Sequence, residues 1–169
     1  MKKTNWEYID TINDGGRLPA DGYVIVINDV EDVPNREYLY IVFDIAEGPY
    51  KGHYSDDWGK RNEWAHRFTK SYSEKAQGFF KQFLDCLEKS NAGFKISEWQ
   101  EKSDEREFIG LEVGVIFQER EYEGNDGSIK TALDAAKIVT ADTIRRGDFK
   151  KLEKKTIERT ASTYNDLPF

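Results

Sequence analysis

The alternation of apolar and polar positions is clearest in Gly22–Ala46, GYVIVINDVEDVPNREYLYIVFDIA, which reads as two β-rich runs around a polar turn. In the second run, Glu37–Ala46, Leu39, Ile41, Phe43 and Ile45 fall on one face, and Tyr38, Tyr40, Val42 and Asp44 fall on the other. Such alternation predicts a strand with one face in a core. The face left to solvent carries Tyr38 and Tyr40, flat amphipathic rings that another part of the chain could cover or on which bases could stack.

The same patterning carries through the rest of the chain. A first strand runs from Gly22 to about Val30, and the connection Asp29–Glu37 contains the turn signal Pro34-Asn35. Glu47–Glu63 is a long loop that mixes Tyr50, Tyr54 and Trp58 with Lys51, Lys60 and Arg61. A third strand, about Trp64–Lys70, brings Trp64, Arg67, Phe68 and Lys70. Ser71 or Ser73 then opens a helix, with Ser71-x-x-Glu74 matching a capping box. Ala76, Phe79, Phe80, Phe83, Leu84 and Leu87 recur at helical spacing and predict a core-facing stripe. Cys86 sits at its edge as inert packing, and Asn91 with Gly93 supplies the stop. After the acidic stretch Glu98–Glu107, Ile109, Leu111, Val113, Val115 and Phe117 alternate with Gly110, Glu112 and Gly114 as a fourth strand. Its glycines imply close approach by a ligand or another backbone, or a bend where a barrel closes. Asn125-Asp126-Gly127, inside the loop Glu121–Ser128, predicts a hairpin into a last strand over about Ile129–Thr140, which carries Lys130 and Lys137.

The order strand, strand, strand, helix, strand, strand is that of the five-stranded Greek-key barrel called the OB-fold, with its helix between the third and fourth strands. The expected architecture is therefore mainly β. It comprises an N-terminal arm over residues 1–19, a barrel domain over 20–147 and a basic linker and tail over 148–169. In an OB-fold the ligand lies across the second and third strands, between the first and last hairpin loops. That places Tyr38 and Tyr40 on the binding platform.

Charge changes this picture less than its sum suggests. The chain carries a net charge of −7 over 169 residues. Between Glu98 and Asp126, however, ten acidic and three basic residues account for the whole excess, so the remainder is neutral and has room for a basic groove. A single cysteine rules out an internal disulfide framework and a cysteine-based zinc site and fits a reducing cytoplasm. No apolar run reaches the length of a membrane span, and the start MKKTNWEYID lacks the apolar segment of a signal peptide. There is no Gly-rich phosphate loop followed by Lys-Ser/Thr. His53, Asp56, Asp57 and His66 match no standard metal-ligand spacing, the two histidines reading as solvated loop residues. Nothing pairs a nucleophile with a base. The expectation is a binder and not an enzyme, with no cofactor and no metal.

Interleaved rings and cations are what an unpaired nucleic-acid strand needs, because rings stack on bases while cations neutralise phosphates. The expected contacts are Tyr38, Tyr40, Tyr50, Lys51, Tyr54, Trp58, Lys60, Arg61, Trp64, Arg67, Phe68, Lys70, Lys130 and Lys137, with single-stranded DNA as the ligand and little sequence preference. The alternative is an OB-like protein-interaction module whose acidic band mimics nucleic acid. The barrel edges and aromatic surface could equally serve a homo-oligomer.

The last residues, Asp166-Leu167-Pro168-Phe169, resemble the C-terminal tip of bacterial single-stranded-DNA-binding proteins, although a single Asp stands in place of an acidic run and the linker is basic. The resemblance implies that Asp166, Leu167, Pro168 and Phe169 recruit replication or recombination proteins. More broadly, YLYIVFDIAEGPYKG, SYSEKAQGFFKQFLDCLEKSNAGF and EYEGNDGSIKT resemble segments of small proteins encoded by phages and integrative elements of Gram-positive bacteria. That family is suspected of binding single-stranded DNA near replication and recombination genes.

Overall fold

The Val- and Ile-rich run at the start of the domain forms strand β1 (Gly22–Val33) in a computed structural model that describes residue 3 and residues 17–157. Four more strands follow, β2 (Tyr38–Ile45), β3 (Arg67–Ser71), β4 (Glu112–Glu123) and β5 (Ile129–Val139). Together they make a mainly β protein with one five-stranded antiparallel sheet in the order β3-β2-β1-β4-β5. The β1–β2 connection is a short 3-10 turn over Pro34–Arg36, closed by Glu37 in the left-handed region at φ 53°. Strands β4 and β5 form the hairpin announced by Asn125-Asp126-Gly127. No helix among the described residues is long and apolar enough to cross a membrane.

The longest helix, α2 (Gln77–Ser90), lies between β3 and β4 in sequence as expected, after two short pieces of chain around α1 (Asp57–Arg61). Its stripe of Phe83, Leu84, Cys86 and Leu87 is buried against a core that includes Ile25, Ile27, Ile41, Phe43, Val113 and Val115. Each such side chain withdrawn from water contributes roughly 1.5–3 kcal/mol. Beyond the helix, α3 (Ile96–Trp99) lays Trp99 on the fully buried Phe108 at 5.0 Å between ring centroids.

Three features of the helix region differ from the sequence reading. The helix starts at Gln77 behind a 3-10 turn over Glu74–Ala76, and no side chain caps it. The Ser71 hydroxyl is spent at the end of β3, on the Glu37 carbonyl and the Ser73 hydroxyl. Phe79, expected in the core stripe, is 70% exposed on the first turn of the helix, one turn before Phe83 reaches the core. Ile109, expected to face inward, is 43% exposed, because β4 begins only at Glu112. Gly114 is explained by the protein's own backbone, since a Cβ there would sit 2.5 Å from the Thr140 carbonyl oxygen at the start of α4 (Ala141–Arg145). After α4 the chain runs back beside β4, where Lys155 bridges Arg120.

The second half of β2 departs from simple alternation. Val42 and Asp44, assigned with the tyrosines to the solvent face, are both buried. The Asp44 carboxylate accepts hydrogen bonds from the backbone N–H of Ile45 at 2.8 Å and of Tyr54 at 2.9 Å, which folds the 47–66 segment back over this end of the strand. Tyr54, expected as a surface ring, is thereby drawn into the core and stacks on His66 with centroids 4.8 Å apart. His66 is itself buried and not a solvated loop residue. Its ring nitrogens lie 2.8 Å from the carbonyl oxygens of Phe43 and Gly59.

Two predictions follow from this packing. Asn91 ends α2 by donating to the Leu87 carbonyl at 2.9 Å and to the Glu112 carbonyl at 2.7 Å, while its own oxygen accepts from Glu112 N–H at 2.9 Å. Asn91→Ala strands these groups and is expected to cost about 1–3 kcal/mol in urea unfolding, and a loss within experimental error would show that water replaces the amide. The Tyr54 phenol is pushed up from 10.0 to about 12 by burial, with the charge of Asp44 adding to it. Below about pH 10 this contribution is fully present. As pH rises toward about 12 the unfolded tyrosine ionises first, so stability falls by on the order of 2 kcal/mol. Thermal melts across this window should decline more shallowly for Tyr54→Phe, though not become flat, because burial also raises the Tyr23 phenol.

Candidate nucleic-acid interface

The first half of β2 keeps the expected alternation, with Leu39 and Ile41 buried and Tyr38 and Tyr40 half-buried. The two phenols share a hydrogen bond at 3.2 Å, and their rings meet edge to face with centroids 5.1 Å apart. That hydrogen bond, together with the charge of its partner, holds the Tyr40 phenol above its ordinary pKa. Antiparallel register sets Tyr40 opposite Thr69 and Val42 opposite Arg67. The outer face of β3 thus continues the tyrosine face, and the Arg67 guanidinium rests 4.2 Å from the centroid of the Tyr40 ring. Such stacking orients a cation without neutralising it. Among the described residues Arg67 has no carboxylate partner.

Because β3 and β5 are the end strands of the sheet, a groove is left between them. Its first part, a cavity of about 390 Å³, is lined by Tyr40, Trp64, Arg67, Phe68, Thr69, Leu133, Asp134 and Ala135. Asp134 is the one carboxylate in this lining, and its charge is taken up by Arg120 at 2.7 Å on the same hairpin. None of the acidic residues between Glu98 and Asp126 lines it. The acidity of the chain as a whole is therefore not concentrated at this groove, where Arg67 faces a carboxylate that Arg120 already pairs.

Trp64 comes from the 3-10 turn Glu63–His66 that precedes β3, and it is 65% exposed. Trp58, from α1, stands beside it at 51% exposure, with the ring centroids 6.1 Å apart. Both are mounted on fixed backbone. Asp56 caps α1 by accepting from Gly59 N–H at 2.7 Å, and Gly59 packs so closely on Tyr54 that a Cβ would lie 2.0 Å from the Tyr54 carbonyl oxygen. Trp64 Nε1 donates to the Asn62 side chain at 3.2 Å. Two large rings left in water on an anchored turn are a ready stacking surface.

The fourteen residues expected to contact nucleic acid thus divide. Tyr40, Trp64, Arg67 and Phe68 come together in the groove, with Tyr38 and Trp58 beside them. Phe68 contributes only an edge, since its ring packs inward on Phe43 at 5.7 Å. Lys70 and Lys137 lie further along the same seam. Lys51, Lys60 and Arg61 are exposed on the 47–63 segment and line neither part of the groove. Lys130 sits at the hairpin end of β5, opposite Tyr122. Tyr50 is half-buried edge-on to Tyr23 and lines neither part of the groove, and Tyr54 is in the core, where it offers no stacking surface. Asp166, Leu167, Pro168 and Phe169 lie outside the described residues. The sequence reading missed Leu133, Asp134 and Ala135 as the facing wall, because nothing in β5 taken alone signals which strand it will oppose. It also missed the exposed Phe79. No protein-family model matches the chain, and no curated protein matches it at a significant level.

Proposed function

We propose that this protein is a non-enzymatic binder of single-stranded DNA, built on an OB-type barrel whose one unpaired seam, between β3 and β5, is the binding groove. The pairings β1–β2, β2–β3, β1–β4 and β4–β5 agree with that reading. The observation that carries the function is the groove wall itself. Tyr40, Trp64 and an Arg67 without an acidic partner converge on one cleft, where the only lining carboxylate is already paired. Bases would stack on Tyr40, Trp64 and Trp58, and Arg67 would take a phosphate. Every base has a π-face and the backbone is common to all sequences, so preference among sequences is slight. The resemblance to phage and integrative-element proteins suggests a role in replication or recombination of such an element. On the same footing, Asp166–Phe169 would recruit a partner protein.

Titration of the tryptophan emission with oligothymidylate tests this. Binding should quench Trp58 and Trp64, and it should weaken as salt rises because phosphate contacts release counterions. Tyr40→Ala and Trp64→Ala should each cost about 1–3 kcal/mol of affinity. Arg67→Ala should weaken binding to all sequences alike and make the log–log salt slope shallower by about one. Wild-type affinity retained in all three variants, or the absence of any salt-sensitive quenching, would remove the groove from the account.

A further inference from the structure

The groove does not stop at Ala135. A second cavity, of about 440 Å³, shares Phe68, Thr69 and Ala135 with the first and continues between β3 and β5 to the first turn of α2. Its far end is walled by Phe79, the most exposed of the large apolar side chains among the described residues. No carboxylate lines it, whereas Lys70 and Lys137 do. Lys137 is exposed on β5. Lys70 is turned toward the inside of the seam, its ammonium 5.9 Å from the centroid of the Phe83 ring, and it has no carboxylate partner among the described residues. Burial pushes its pKa below the usual lysine range, the mark of a cation that has given up water without gaining an anion.

An exposed phenylalanine on a helix whose other face is fully packed has no folding role that the sheet supplies. Two unneutralised lysines beside it, in a cleft continuous with the tyrosine groove, give it a chemical context. We infer that a bound single strand runs past Arg67 along the β3–β5 seam, passes a phosphate to Lys70 and Lys137, and stacks a further base on Phe79 of α2. This rests on the single-strand reading proposed above and extends its path from the sheet onto the helix. From the first to the last of the five residues of β3, a rise of about 3.3 Å per step gives the seam a length of about 13 Å along the strand. A contact at its far end is therefore made only by an oligonucleotide long enough to span it.

The test is a length series of oligothymidylates, from about 4 to about 16 nucleotides, titrated against wild type and Phe79→Ala. The substitution removes an exposed ring and installs the best helix former, so folding should be intact, and circular dichroism checks this. Wild-type affinity should rise with length. Phe79→Ala should match wild type on the shortest oligonucleotides that bind and lose about 5- to 100-fold on the longest, the value of one stacked base. Lys70→Gln should show the same length-dependent loss, with a shallower salt slope only on long strands. Equal affinities of Phe79→Ala and wild type at every length would overturn the extended path, and so would an equal loss at every length. If wild type bound no oligonucleotide at all, the failure would lie with the single-strand reading itself. Phe79→Trp supplies an independent signal, since its added emission should be quenched by long strands and not by short ones.

Discussion

Strand β1 has a neighbour on each edge only around Ile25, which faces Ile45 of β2 on one side and Val113 of β4 on the other. Toward Gly22 it continues with β4, and toward Val33 with β2 alone, so it passes from one half of the sheet to the other. The register slips between Ile27 and Asp29, and a bulge at that point bends a strand and strengthens its twist. The sheet therefore curls about β1, and its outermost strands, β3 and β5, come to line one groove. Helix α2 touches both of them and fills the interior behind the seam with Phe83 and Leu87. The placement of every ring and cation in the groove depends on this one shared strand.

The groove also depends on an anchored rim. Asp44 holds the backbone of Tyr54, Tyr54 stacks on His66, and His66 reaches the carbonyls of Phe43 and Gly59. That buried chain of contacts ties α1 and the Glu63–His66 turn to the end of β2, so Trp58 and Trp64 stand in water without being free to wander. Stacking surfaces fixed in advance cost less ordering when a ligand arrives than side chains on a loose loop would. Asp44 and His66, the two buried polar or charged residues among those described, thus support the groove rim from behind.

What could be read from the chain, and what could not, divides along a physical line. The five strands, the α2 stripe from Phe83 to Leu87 and the placing of Tyr38 and Tyr40 outside the core follow from period and side-chain type, although the third strand begins only at Arg67, because Trp64 to His66 belong to a 3-10 turn. The failures come from contacts distant in sequence. Tyr54 resembles Trp58 as an aromatic in a polar loop, and only the hydrogen bond from its backbone to a carboxylate ten positions earlier sends one inward and leaves the other out. Phe79 has the spacing of a core residue, yet it is left exposed one turn before Phe83, where the helix enters the core. The pairing of Tyr40 and Arg67 with Leu133–Ala135 across the seam requires knowing which strands lie at the ends of the sheet, which local alternation cannot reveal.

An unpaired seam is an energetic and colloidal liability, because exposed strand edges offer N–H and C=O groups to any passing chain. Proteins usually blunt such edges with charge. Here the cations at the seam, Arg67, Lys70 and Lys137, outnumber its one carboxylate, Asp134, which Arg120 pairs, and no acid from the band between Glu98 and Asp126 lines it. Elsewhere on the surface some basic side chains are paired, as Arg145 is with Glu47 and Glu112, and Arg106 with Asp104. A chain with a net charge of −7 has carboxylates to spare. Only Asp134 among them lines the cleft where aromatic rings are also exposed, and its pairing with Arg120 leaves Arg67, Lys70 and Lys137 to set the charge of the edge. Under the proposed function, edge protection and phosphate binding would be one arrangement of side chains, and a bound strand would cover the rings that water solvates poorly.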